Sequence, residues 1–361
     1  MKIGILSMQK ILNYGSFLQA YSLKKQFENK GHDVYFIDIK QGKQVVKNNY
    51  TKTCVIKKLF QGKVIKRIQN HFMFKKMSVI HADDYTRFLE TDKKLSNDQK
   101  FDLVIIGSDE VFNCLAPSSW GFSTQLFGDI ENAKNVVTYA AACGQTDYDG
   151  VVRAGIKDQL KIAMDNITSF SVRDENTKNF VESITGREAI MHLDPVFLYD
   201  YDKEMVSVSR KKPYVLIYAY SNRISDEKEI KNIKKYAKQN DLEIVCVGQQ
   251  QRWCNVNICA NAYELLSYFA NADSVITDTF HGAVLSIKYN KKLGVLVRES
   301  NSNKLSGLLN KFNLENRKLE GECYNTIMQQ PIDYKRVNEI IAEERVSSQE
   351  YFDKALALAK E

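Results

Sequence analysis

Short apolar runs alternate along this chain with stretches whose apolar positions recur at helical spacing. Residues 2–7 are apolar, and Phe17, Ala20, Leu23 and Phe27 then step along one helix face until Gly31 stops it. "DVYFIDI" follows as a second strand. The same rhythm returns in "FDLVIIGSDEVFN", with a strand to Ile106, and in "NVVTYAAACG", with a strand to Ala140. "ITSFSVRDENTKNFVESITG" adds a strand, a helix and a stop, and "AIMHLDPVFL" another strand. Strands separated by helices cannot pair as hairpins, so the pattern predicts parallel sheets covered by helices, an α/β fold.

The pattern starts afresh after "SRKKPYVLIYAY". A strand at 214–220, a helix at about 226–240, the strand "EIVCVG", the helix "AYELLSYFANA", the strand "SVIT", a helix from His281 and the strand "KLGVLVRE" make a second alternating unit. A length of 361 residues accommodates two domains. The expected division is a Rossmann-like domain over 1–209 with a basic helical insertion at about 41–100, a second such domain over 210–330, and a helical segment over 331–361 that packs back on the first domain.

Composition narrows the class. The 44% hydrophobic content suits packed cores, and no apolar run is long enough to cross a bilayer. "MKIGILSMQK" lacks a small-residue cleavage site and reads as a first strand, so a cytoplasmic protein is expected. Seven cysteines without a CxxC pair argue against zinc and against a disulfide framework.

The net charge of +7 has a local source. Lys40, Lys43, Lys47, Lys52, Lys57, Lys58, Lys63, Lys66, Arg67, Lys75 and Lys76 lie in a window without one acid. Setting these eleven aside leaves 40 of the 51 basic residues against 44 acidic ones. Ile56, Phe60, Val64, Ile68 and Phe72 step by four through the same window, which predicts a basic amphipathic helix over 55–72. Such a face is either simply solvated or attracted to an anionic membrane surface. Nucleic acid is not expected, because no recognition motif accompanies the charge.

Ligands of open α/β sheets bind beyond the carboxyl ends of the strands, so polar residues there are the candidates. Asn13, Tyr14, Gly15 and Ser16 are read as standing before the first helix, whose free N–H groups can hold an anion. That loop lacks GxGxxG and the P-loop lysine, so neither NAD nor ATP is indicated. Ser108 and Asp109 follow the third strand and can cap what comes next. Arg173 ends the "SFSV" strand, where a guanidinium can grip a carboxylate or phosphate. In "SVITDTFHGAVLSIKYNK", Thr279 or Asp278 can cap a helix that carries His281 in its first turn. The helix dipole there favours a neutral ring, able to give or take a proton, and Gly282 leaves room for a ligand.

"NYGSFLQAYSLKKQFENKGHDVYFID", "FDLVIIGSDEVFN", "YAAACG", "SVRDENT", "LDPVFL", "ADSVITDTFHGAVLSIKYNK" and "SNSNKLSGLLNKFNL" occur in that order between residues 13 and about 314. Together they resemble the polysaccharide pyruvyl transferase family. Two departures stand out. The family's GSDQVWN is here GSDEVFN, with Glu110 and Phe112, and Asn303-Lys304 stands where an arginine is common.

The resemblance implies a GT-B-like fold, with two Rossmann-like domains facing a cleft. It implies phosphoenolpyruvate as donor and a sugar hydroxyl pair as acceptor, in a capsule or exopolysaccharide or its lipid-linked precursor. The products are a pyruvate ketal and phosphate, and the resemblance implies no metal or organic cofactor. The family's donor-binding arginine matches Arg173 and its catalytic histidine matches His281. Asp109 is the expected base, and Asn13, Tyr14, Gly15, Ser108, Thr279, Gly282 and Lys304 the expected substrate-binding residues. A lipid-linked acceptor would place the protein at the inner face of the cell membrane. The same architecture also hosts glycosyltransferases that use nucleotide sugars, and non-catalytic members are conceivable.

Overall fold

A computed structural model describes residues 1–8, 10–45, 75–90, 99–221 and 223–360. The chain divides into two compact units. One comprises Met1–Lys47, Tyr85–Asp200 and Asn338–Glu361, the other Asn48–Asp84 and Tyr201–Val337. The basic amphipathic helix expected over 55–72 lies outside the described residues.

The first unit holds a parallel sheet of β1 (Lys2–Leu6), β2 (Asp33–Phe36), β3 (Phe101–Ile106) and β4 (Ala133–Thr138), in the order β2-β1-β3-β4. A parallel pair, β5 (Phe170–Val172) and β6 (Ala189–Met191), continues it beside β4, where the Thr138 amide donates to the Ser169 carbonyl at 3.2 Å. β1 and β3 are buried almost throughout, as strands covered on both faces must be. Because β1 has β2 on one side and β3 on the other, the chain reverses its winding between β1 and β3, and a crevice opens at their carboxyl ends.

The second unit repeats the plan with β7 (Tyr214–Tyr218), β8 (Glu243–Val247), β9 (Val256–Ile258), β10 (Ser274–Thr277) and β11 (Lys292–Val295). Their order is β11-β10-β7-β8-β9, all parallel. Here the reversal falls between β7 and β10.

The last helix, Tyr334–Leu358, belongs to the first unit from Asn338 onward, all but its first turn. The Tyr351 hydroxyl donates to the Thr138 carbonyl at 2.8 Å, the Tyr139 hydroxyl donates to Ser348 Oγ at 2.8 Å, and the Phe352 ring lies 4.5 Å from that of Tyr139. Among the described residues no helix is long and apolar enough to cross a membrane.

Several elements differ from the sequence reading. The fourth strand ends at Thr138, not Ala140, because Ala140 takes a left-handed φ of 45° that no strand continues through. Only Ala189–Met191 of "AIMHLDPVFL" is strand. Asp194 and Pro195 turn the chain into a short 3-10 segment, the Asp194 carboxylate accepting from the Val196 amide at 3.1 Å. The three-residue β9 was not anticipated. Residues 75–84 group with the second unit, where the Ala262 amide donates to Asp84 at 3.0 Å. The first unit's central segment closes at Asp200, against an expected 209.

Candidate functional site

The first unit gathers its candidates around the crevice between β1 and β3. Asn13 caps the helix Tyr14–Glu28 by accepting from the Gly15 amide at 2.8 Å, while Tyr14 and Gly15 are buried. Ser16, the next residue, donates to the Asp109 carboxylate. Gln19 binds the Ser7 hydroxyl at 2.9 Å and accepts from the Ser108 amide at 3.0 Å, so one helix face holds the ends of both strands.

No helix follows Ser108 and Asp109, so neither caps one. Asp109 has φ 70°, in the left-handed region, whereas a cap needs extended backbone. The turn at Gly107 is forced by proximity: a Cβ there would sit 2.1 Å from the Tyr139 carbonyl oxygen. Left-handed residues in neighbouring loops (Asp109, Ala140) are a pattern found where a site outweighs local comfort.

Asp194 ties this locus together. Its carboxylate accepts from Arg173 Nη1 at 3.1 Å and from the Ser108 hydroxyl at 3.4 Å, which also reaches the Ala140 carbonyl at 3.0 Å. The Arg173 side chain is 4% exposed and that of Asp194 0%. Burial alone would lower the arginine's pKa. Asp194, Asp109, Asp174 and Glu110 outweigh that effect and raise it, so the charge is secure. Ser108 is wholly buried with its hydroxyl engaged inside the fold. The structure therefore brings Ser108, Asp109 and Arg173 into one network, with Asp194 as a member that the sequence reading passed over, while Asn13 caps the helix whose Ser16 reaches Asp109.

The second unit assembles the other candidates at the end of β10. Thr279 is the cap of the helix Phe280–Lys288: its hydroxyl accepts from the Gly282 amide at 3.0 Å. Thr277 donates to the Tyr218 carbonyl at 2.6 Å and accepts from the Thr279 amide at 3.0 Å, which joins β10 to β7 across the reversal point. His281 sits in the first turn, 7% exposed, its ring edge-on to Phe280 at 5.3 Å. Gly282 serves the cap itself. A Cβ there would lie 2.1 Å from Thr277 Oγ1 and 2.7 Å from Thr279 Oγ1, so the space is already taken by hydroxyls. Lys304 stands half-buried in the first turn of the next helix, Ser302–Lys311.

Asp278, weighed in the sequence only as an alternative cap, takes a different place here. With Thr279 as the cap, its carboxylate is released from that task and is fully buried. Neither oxygen meets hydrogen-bond geometry with a partner among the described residues. Burial pushes its pKa from 3.8 up to about 6, against the pull of Arg223 and Arg298. Arg298 is itself forked onto Glu229 at 2.5 and 2.7 Å. Asn301 fixes the loop, donating to the Asp278 carbonyl at 2.6 Å and accepting from the Arg298 amide at 2.8 Å. The signal available in sequence was an acid directly after the short strand "SVIT".

The spinosyn forosaminyltransferase SpnP aligns over 100% of both chains at 10% identity, with a TM-score of 0.51. The glycosyltransferase SsfS6 of Streptomyces sp. SF2575, complexed with thymidine diphosphate, aligns over 98% of this chain and 99% of its own at 10% identity and a TM-score of 0.49. UDP-GlcNAc 2-epimerase from Neisseria meningitidis covers 96% and 100% at 12% identity and 0.46. At such identities the likeness speaks of fold, and the fold is GT-B-like, built from two Rossmann-like sheets. No curated protein matches the chain. The family profile "Polysaccharide pyruvyl transferase" matches residues 13–300, from the cap of the first helix to beyond Arg298. The chain belongs to the polysaccharide pyruvyl transferase family.

Proposed function

We propose that this transferase moves the enolpyruvyl carbon skeleton of phosphoenolpyruvate onto two hydroxyls of one sugar, forming a pyruvate ketal and releasing phosphate. The family match over residues 13–300 carries this reading. The network around Arg173 and the polar end of β10 support it.

A proton added to the methylene carbon of phosphoenolpyruvate makes the neighbouring carbon oxocarbenium-like. One sugar hydroxyl adds there, the C–O bond to phosphate breaks, and the second hydroxyl closes the ketal. One hydroxyl proton balances the new methyl group and the other leaves with phosphate. His281 is the proposed proton donor. Asp278, three residues before it, is a second group able to hold a proton near neutral pH. Arg173, oriented by Asp194, is the proposed donor grip, supported by the N-terminus of the helix Tyr14–Glu28 and by Lys304. Asp109 is the proposed base toward the acceptor hydroxyl, and Asn13, Tyr14, Gly15, Ser108, Thr279 and Gly282 shape the loops around these groups. The acceptor is a sugar of a surface polysaccharide or its lipid-linked precursor, met at the inner face of the membrane.

The test is thermal unfolding with phosphoenolpyruvate beside a panel of nucleotide sugars. A ligand at a hundred times its dissociation constant stabilises the native state by about 2.7 kcal/mol. The expected result is a rise in melting temperature with phosphoenolpyruvate that is lost in Arg173→Ala and kept in His281→Ala, each read against its own unliganded protein. A rise with a nucleotide sugar alone would replace this reading by glycosyl transfer.

A further inference from the structure

The carboxyl ends of β1 and β2 border a cavity of about 550 Å³ that none of the proposed catalytic or donor-binding residues lines. Its polar wall comprises Ser7, Lys10, Asp38, Gln41, Ser119 and Trp120. That volume lies within the usual range for small-molecule sites.

The lining's charge decides which ligand class fits. Lys10 and Asp38 face each other at 2.5 Å, so among the described residues of the lining the single cation is met by the single anion. A trianion such as phosphoenolpyruvate, or a nucleoside diphosphate, would find no net attraction there. A neutral polyol would find a carboxylate and carbonyl to accept its hydroxyl protons, and an ammonium, an amide and hydroxyls to donate. The half-buried Trp120 indole supplies a flat apolar face for the C–H side of a pyranose ring.

Trp120 is also held in place before any ligand arrives. Its carbonyl accepts from the Gly42 amide at 2.7 Å, and the Phe122 amide donates to the Lys43 carbonyl at 2.9 Å. The indole packs against the core of the first unit. A fixed aromatic wall reduces the entropy lost on binding. Ser7, in the same lining, donates to the Ser108 carbonyl at 3.3 Å, so the cavity borders the loop that presents Asp109.

We propose that this cavity is the acceptor subsite, taking one uncharged hexopyranose ring stacked on Trp120 with its hydroxyls on Asp38, Gln41 and Ser119. The assignment rests on the pyruvyl-transfer reading for the name acceptor, but the sugar-binding claim is tested separately.

The chain has two tryptophans, Trp120 and Trp253, so Trp253→Phe leaves Trp120 as the sole indole emitter. In that protein, Trp120 fluorescence is titrated with the methyl glycosides of glucose, galactose, mannose and N-acetylglucosamine. The expected result is a saturable change with at least one of them. The apparent dissociation constant should rise tenfold or more when Asp38→Asn and Gln41→Ala are added, with the melting temperature unchanged. No saturable change with any glycoside overturns the proposal, as does a change that the two substitutions leave intact. A response to nucleotide sugars alone overturns it in favour of an anionic ligand. Phosphoenolpyruvate is scored in the same protein by its melting shift. A donor shift without a sugar response removes the subsite and leaves pyruvyl transfer standing; a sugar response without a donor shift does the reverse.

Discussion

Replacing Asp278 by asparagine is expected to stabilise the protein, and to do so more strongly in alkali than in acid. The carboxyl is fully buried, faces Arg223, Arg298 and Glu229, and has a pKa raised from 3.8 to about 6, chiefly by desolvation. A raised carboxylate pKa means that the native state holds its proton more tightly than the unfolded chain. The native state is therefore penalised wherever the unfolded carboxyl is ionised, and the penalty grows from pH 3.8 until it levels off above about 6. At 1.36 kcal/mol per factor of ten, the full penalty is about 3 kcal/mol near pH 8. Near pH 5 the native group is mostly protonated and roughly half of it remains. Asparagine keeps the shape and carries no charge, and the cost of its own buried amide does not change with pH. The advantage of Asp278→Asn over the parent should thus shrink by about 1.4 kcal/mol, a tenfold change in the folding equilibrium, from pH 8 to pH 5. Urea unfolding of both proteins at the two pH values measures it. A difference that is the same at both, or that grows toward acid, would refute burial as the source of the raised pKa. A residue retained at such a cost is what a site demands of a fold.

Two further outcomes follow from the same geometry. Gly282→Ala drives a methyl group to 2.1 Å from Thr277 Oγ1, and should cost about 1–3 kcal/mol in thermal or urea unfolding; a variant as stable as the parent would show that the space is not filled. Arg173→Ala leaves the fully buried Asp194 without its ion-pair partner and should cost about 3–5 kcal/mol. Adding Asp194→Asn should recover part of that loss, and strictly additive losses would mean that the pair is not coupled.

Much of this protein was legible from sequence because parallel strands and their helices write periodic signals into contiguous residues. "SVIT" is β10 to the residue, the stop at Gly186 is the left-handed cap of the helix Glu175–Thr185, and the helix of His281 begins beside it as its spacing required. Local rules also put Asn13, Asp109, Arg173 and His281 at strand ends. They could not choose between Thr279 and Asp278 as the cap, because both are competent. Only the fold decided, by placing Thr277 so that it holds the Thr279 amide and leaves Asp278 buried. Nor could the sequence join Arg173 to Asp194, 21 residues on, or bring Trp120 to Lys10 and Asp38 around one cavity. Those neighbours are set by strand order. Which β-strand lies beside which is a property of long-range packing, and no local period records it.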